Sequence, residues 1–206
     1  NSKYWIDLVN PTKEEIRQVK QIFNLHKIGI DNFSAKKIRP KFHQLGDHAL
    51  IAFYKITAAN ENIKPEKIDI ILGKNFLITL TEKSMPEIEQ LKKTSEVTEL
   101  LKQGLDLLLA KIIERTVETY FPTIEKVDIE LDSLQNQALN TNQHNVMEIL
   151  FRIKKELLKL RKIIYPQREA ILKLSTGGCK YLSKESESSF REIHDNTIII
   201  TDLIED

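Results

Sequence analysis

From Val97 to Ala138 the apolar residues step by three or four almost without interruption, through Leu101, Leu105, Leu108, Ile112, Tyr120, Ile124, Val127, Leu131 and Leu134. Glycine enters this stretch once, at Gly104, and proline once, at Pro122. An α-helix repeats every 3.6 residues, so the spacing lays a single apolar stripe along one amphipathic helix of about twelve turns. Local propensity alone does not stabilise a helix of that length; its stripe must meet other helices. The polar run Asn140-Thr141-Asn142-Gln143 then breaks the pattern. Beyond it Val146, Leu150, Ile153, Leu157, Leu160 and Ile164 follow alternating steps of four and three, the seam of a left-handed supercoil. The two segments are therefore expected to form a long antiparallel helical hairpin. Ser175-Thr176-Gly177-Gly178 ends the second helix, and a third begins between Glu185 and Phe190 and is still running at Asp206. A helical pattern that stops in mid-stride predicts a polypeptide that continues past this point.

The first half is different in kind, with short apolar runs punctuated by glycine and proline. Trp5–Leu8 reads as a strand, and Thr12 with Glu15 has the spacing of a capping box opening a helix. Ile16, Val19, Ile22 and Phe23 are the expected buried stripe of that helix. Phe42–Leu45 and Ala49–Thr57 flank Gly46-Asp47 as one hairpin. Ile68–Leu72 and Phe76–Thr81 flank Gly73-Lys74-Asn75 as a second, whose turn is expected to use residues tolerant of left-handed backbone. Pro86 starts a short helix through Leu91. The fold class is α+β: an N-terminal α/β domain with a mostly antiparallel sheet over 1–94, the helical hairpin over 95–174, and the start of a last long helix over 175–206.

Composition excludes several functions. A net charge of +1 gives no drive toward nucleic acid, whose binders carry a basic excess on one face. The single cysteine, Cys179, forbids an internal disulfide and any multi-cysteine metal site, and reads as a bystander in a Gly-flanked loop. No basic flank followed by an apolar run opens the chain as a signal peptide would, and no apolar run approaches the ~20 residues a membrane-spanning helix requires. Gly-rich phosphate loops, nucleophile elbows and His-Glu-x-x-His helices are all missing, so no enzyme is expected. Arg161 and Arg168, seven apart, read as salt bridges to neighbouring helices.

Several segments, in order, resemble the CorA family of magnesium channels and its zinc-transporting relatives. Trp5-Ile6-Asp7-Leu8 with Pro11-Thr12 and Glu14-Glu15 looks like the family's entry strand and first helix. Phe23-Asn24-Leu25-His26 leading to Asp31-Asn32 is similar to F-x-L-H-P-L-x-x-E-D, and Arg39-Pro40-Lys41 to its R-P-K strand. Gly73 to Thr79 matches the next hairpin, and Val117-Glu118-Thr119-Tyr120-Phe121 resembles V-D-D-Y-F. Leu160 to Glu169 is close to L-R-R-x-x-W-P-x-R-E, and Phe190 to Thr197 looks like F-R-D-V-Y-D-H. Each piece alone is weak; their order and spacing over nearly the whole chain carry the resemblance.

The resemblance implies a homopentamer whose α/β domains form a funnel on the cytoplasmic side of the inner membrane. The last helix would line that funnel and run on into membrane helices bearing a Gly-Met-Asn signature beyond Asp206. It also implies a regulatory Mg²⁺ between subunits, with Co²⁺ or Zn²⁺ as alternative ions, held by Asp31, Asn32, Asp195 and Glu118. Mg²⁺ is a hard ion that keeps several waters, so a few oxygen ligands across an interface suffice, and without it the carboxylates repel. The chain departs from the family here. Asp31-Asn32 stands where Glu-Asp is common, Thr119 replaces the second acid beside Glu118, and Gln135-Asn136-Gln137 neutralises a tip that is often acidic. A weaker or relocated sensor site is expected. Asp195 and Asp202 are seven apart with Asp206 four further, one face that suits a wet funnel wall or plain solvent. His26 and His194 are weighed as zinc ligands and read instead as packing or capping residues. A soluble coiled-coil adaptor is the rival from another class.

Overall fold

The structure, a computed structural model, describes residues 2–26, 39–59, 62–138 and 143–206. Its sheet has five strands: β1 (Tyr4–Val9), β2 (Lys41–Leu45), β3 (His48–Ala59), β4 (Asn62–Gly73) and β5 (Phe76–Thr81), in the order β1-β5-β4-β3-β2. The β2–β3, β3–β4 and β4–β5 pairs are antiparallel, as the hairpins require, and β1 joins β5 in parallel. Gly46, with φ 56°, supplies the left-handed residue of the first hairpin turn. The second turn differs from expectation: neither Lys74 nor Asn75 has a positive φ. Gly73 is needed there because a Cβ would run into the ring of Phe76.

Side chains alternate across a strand, and the sheet buries both faces. On one face Leu50, Ile71, Ile78 and Leu80 pack with Leu25, Ile16, Val19 and Phe23 from α1 (Lys13–Ile22) and the turn after it. The capping box forms as expected: Glu15 N–H donates to Thr12 Oγ1 at 3.2 Å, and Thr12 N–H to Glu15 Oε2 at 2.7 Å. Ile22 does not belong to the stripe. It lies about 100° round the helix from Phe23 and is 73% exposed.

The other face carries the main core. Ala49, Ile51, Phe53, Ile68, Ile70, Leu72 and Leu77 meet the helices of the second half in one continuous apolar cluster reaching Ile204. Those helices are α2 (Pro86–Lys92), α3 (Glu96–Gln103), α4 (Leu105–Glu118), α5 (Tyr120–Ala138), α6 (Gln143–Ser175) and α7 (Lys184–Glu205). The single twelve-turn helix expected from Val97 onward is thus three helices. At Gly104 the backbone is fully extended (φ −176°, ψ 145°), so the axis breaks outright. At Thr119 the chain makes one tight turn, with Thr119 N–H and Oγ1 both donating to Thr116 O. Pro122 then falls in the first turn of α5, where its missing N–H costs no helical bond.

α5 and α6 are packed side by side, as the hairpin expectation requires; its tip, Asn140–Asn142, lies outside the described residues. At 33 residues, α6 is about 50 Å long. It ends with Gly177 at φ 79° and Gly178 N–H donating to Lys173 O at 2.8 Å, a left-handed cap.

Two buried polar ties fix α6 against the β3–β4 hairpin where that hairpin outruns its neighbours. Tyr54 lies beyond the end of β2, and its N–H donates to Gln167 Oε1 while its carbonyl accepts from Tyr120 Oη. Gln167 Nε2 donates to the same Tyr120 oxygen, closing a network in which Gln167 and Tyr120 are both fully buried. Eleven residues earlier on α6, Glu156 Oε2 accepts from Ile63 N–H at 2.8 Å. Strand-edge backbone groups that would otherwise be buried unpaired are satisfied this way.

Candidate functional site

α7 carries Asp195 and Asp202 from among the acids singled out by the sequence, and its first turn is held from outside. Ser183 caps it, its Oγ accepting from Ser186 N–H at 3.1 Å. Asp106, just after the Gly104 break, accepts Ser183 N–H at 2.9 Å. Burial raises the Asp106 pKa, but the hydrogen bonds from Ser183 and Ser186 outweigh it and hold this carboxyl below the usual range. A carboxylate at a helix N-terminus also meets the positive end of its dipole. From there α7 runs alongside α4 and α5, its Ile204 ending beside Leu131 of α5.

One face of α7 is apolar and buried, through Phe190, Ile193, Thr197, Ile200 and Ile204. The opposite face leaves Glu192, Asp195, Asp202 and Asp206 in solvent. The Asp195 side chain is 76% exposed, with His194 Nδ1 at 3.9 Å. Glu118 ends α4, also exposed. Asp195 and Glu118 each stand twelve residues beyond the Ser183–Asp106 junction, about 18 Å along their helices. Asp31 and Asn32 lie outside the described residues. Among those described, no three His, Cys, Asp or Glu groups come close enough to hold one metal ion.

The two histidines have separate surroundings. His26 N–H donates to Nε2 of His48 at 3.3 Å, at the β2–β3 turn. His194 sits between Asp195 and Arg168; burial, then the Arg168 charge, lower its pKa against the opposing pull of Asp195. Cys179 is buried, and burial pushes its thiol pKa up, the reverse of a reactive cysteine. Arg161 pairs with Glu205 of α7 at 3.5 Å, the salt bridge expected of it, whereas Arg168 reaches the same helix through a hydrogen bond to the neutral Thr201 hydroxyl at 3.3 Å. Sequence reasoning missed Tyr165, whose hydroxyl donates to Glu205 between those two arginines, and it missed Asp106. An acid two residues after a lone glycine was the one available signal for Asp106.

The chain matches the family model described as CorA-like Mg²⁺ transporter protein over residues 1–205. It is 26% identical to the cobalt/magnesium transport protein CorA of Thermotoga maritima, covering 98% of this chain and 59% of that protein. With the CorA protein of Methanocaldococcus jannaschii the identity is 23%, covering 97% and 63%. The chain therefore spans about three fifths of the length of these relatives. In fold it is similar to the soluble domain of CorA from Methanocaldococcus jannaschii, with a TM-score of 0.84 at 19% identity over 98% of this chain and 81% of that one. It is also similar to the ZntB cytoplasmic domain from Vibrio parahaemolyticus, with a TM-score of 0.73 at 20% identity over 100% and 82%. Among the described residues no helix is long and apolar enough to cross a membrane.

Proposed function

The chain belongs to the CorA-like Mg²⁺ transporter family, and on that premise we propose that it is the cytosolic regulatory part of a divalent-cation channel. This is a family of transporters, not of enzymes. In this reading five copies form a ring on the cytoplasmic face of the inner membrane. Residues 1–94 form the outer α/β part, 95–174 the helical hairpin, and 175–206 the funnel-lining helix that leads on to membrane segments. Mg²⁺ is both sensed and transported, with Co²⁺ as a second cargo.

The observation that carries the reading is the outward acidic face of α7. Its apolar face is spent on the chain's own core, which leaves Asp195, Asp202 and Asp206 facing away from it. Asp195 would meet Asp31 and Asn32 of a neighbouring copy, and Glu118 adds an acid on the packed α4. Bound there, Mg²⁺ supplies two positive charges and accepts oxygen ligands, several of them water. The chain's contribution is electrostatic. Carboxylates facing each other across an interface disfavour it, and cancelling that repulsion shifts the ring toward its closed state in proportion to the difference in affinity. Asn32 offers a carbonyl but no charge, so the site is weaker than one built from paired acids. Zinc through His26 and His194 is not favoured, since the two lie in separate surroundings, His26 against His48 at the β2–β3 turn and His194 against Asp195 on α7.

Limited proteolysis of the full-length protein across millimolar Mg²⁺ tests the reading. Protection should rise with Mg²⁺, and Asp195→Ala should abolish that rise. Equal cleavage at all Mg²⁺ concentrations in the parent protein would remove the sensing role.

A further inference from the structure

Charge is divided unevenly among the long helices. Between Gln143 and Ser175, α6 has eight Lys and Arg against three Glu, in a chain whose net charge is only +1. α5 has one Lys against four acids. On both helices the excess is outward: Lys154, Lys155 and Lys162 of α6 are exposed, as are Glu125, Asp128 and Asp132 of α5. Among the described residues the three lysines, Glu125 and Asp128 form no ion pair.

Each charged face also holds large apolar side chains in solvent. Met147 is 50% exposed, Phe151 65% and Leu158 48% on α6, and Ile129 63% on α5. On a helix of 3.6 residues per turn, positions 147, 151, 154, 155, 158 and 162 fall within an arc of about 100°. Positions 125, 128, 129 and 132 fill a similar arc of α5. The α6 arc lies opposite the buried Ile153 and Leu160, and the α5 arc opposite the buried Leu134. The two faces therefore look to different sides of the hairpin.

We infer that the basic face of α6 in one copy packs against the acidic face of α5 in the next copy of the ring. Apolar residues at steps of three and four, flanked by complementary charge, are the pattern of a helix–helix seam. One hairpin carries both halves of the match, so the contact repeats from copy to copy and closes a ring. The inference rests on the channel reading, which supplies that ring. Tyr165, Arg161 and Arg168 bond α6 alongside α7, the funnel-lining helix of that reading. Both faces therefore run along the ring axis, where a lateral neighbour meets them. The ion pair of Arg152 with Glu130 marks where the antiparallel α5 and α6 stand level. Two residues away from it in one direction, Lys154 comes level with Asp128. Rotation about the ring axis preserves height, so Lys154 of one copy faces Asp128 of the next. Phe151 then differs in height from Ile129, and Lys155 from Glu125, by only about 3 Å.

The test is disulfide trapping in the full-length protein, in a Cys179→Ala background. On oxidation the double variant I129C/F151C should form a ladder of cross-linked species, and neither single variant should. Lys154→Glu or Asp128→Lys, added to it, should each slow trapping roughly tenfold, because an attraction becomes a repulsion at every contact. K154E and D128K together reverse the pair and should restore the original rate, which a merely structural effect of either substitution would not do. All these positions are exposed, and unchanged circular dichroism verifies the fold. Absence of a ladder from an assembled ring, a ladder from either single variant, or failure of the charge swap to restore trapping would overturn the inference. Light scattering of the same preparation separates the two readings. A monomer would overturn the channel reading and this contact with it, whereas a ring without the ladder would overturn this contact alone.

Discussion

Replacing Gln167 by Met removes both hydrogen-bonding ends of a fully buried side chain while keeping its length. Tyr54 N–H then loses its acceptor, and the Tyr120 hydroxyl loses the donor from Gln167 Nε2. A buried donor left unpaired costs about 1–3 kcal/mol, and the lost bond to the hydroxyl adds about 0.5–1 kcal/mol, so Gln167→Met should destabilise by roughly 2–4 kcal/mol. Tyr120→Phe leaves the Tyr54 carbonyl and the Gln167 amide unpaired and should cost a similar amount. In the double variant the Gln167–Tyr120 bond has no partner left to strand. The combined loss should therefore fall short of the sum by about 1–2 kcal/mol, the coupling expected of residues in one network. Urea unfolding, followed by circular dichroism and by the single Trp5, reads these losses. At a slope of about 2–3 kcal/mol per molar urea, a loss of ~3 kcal/mol lowers the midpoint by about 1 M or slightly more. Strict additivity, or a Gln167→Met loss below about 0.5 kcal/mol, would refute the claim that this network ties α6 to the sheet.

Asp106 has a folded pKa below its unfolded value, so its contribution is present above the ordinary carboxylate pKa and lost as pH falls through the folded one. Asp106→Asn should cost about 1–2 kcal/mol at pH 7, with the gap to the parent closing under acid in denaturation curves taken at descending pH. Asp69 behaves oppositely. Burial, opposed by Lys67 and Lys41, raises it from 3.8 to about 6, and Asp69 Oδ1 has no hydrogen-bond partner. Its folded pKa exceeds the unfolded one, so stability falls as pH rises through that interval, and Asp69→Asn should flatten the decline by up to about 3 kcal/mol. The same denaturation series between pH 4 and 7 measures it. Gly177→Ala places a side chain at φ 79° and should lower stability by about 1–2 kcal/mol in thermal melts.

Local chemistry made much of the fold legible. The Thr12–Glu15 capping box, the Gly46 turn and the Gly177 cap are each fixed by residues within a few positions, and each forms as the sequence indicates. The broken helix was harder to read because its cause is distant. A three-four apolar rhythm runs straight through Gly104, yet the chain turns there and Asp106 reaches Ser183, 77 positions on. Pro122 was the overlooked clue that a helix begins at Tyr120. Parallel pairing of β1 with β5 is likewise non-local and leaves no mark on either strand's alternation. The candidate site was the least legible. A ligand set shared between copies has no periodicity within one chain, and only the resemblance joined Asp195 to Asp31 and Asn32.

Hydrogen–deuterium exchange of the full-length protein in lipid, with and without millimolar Mg²⁺, tests the proposed contact between copies at Asp195 directly. Peptides spanning Glu192 to Ile199 should exchange more slowly when Mg²⁺ is present, and Asp195→Ala should erase the difference while leaving the Gln167 region unchanged. Identical exchange of that segment with and without the ion would contradict a metal-bridged contact at Asp195.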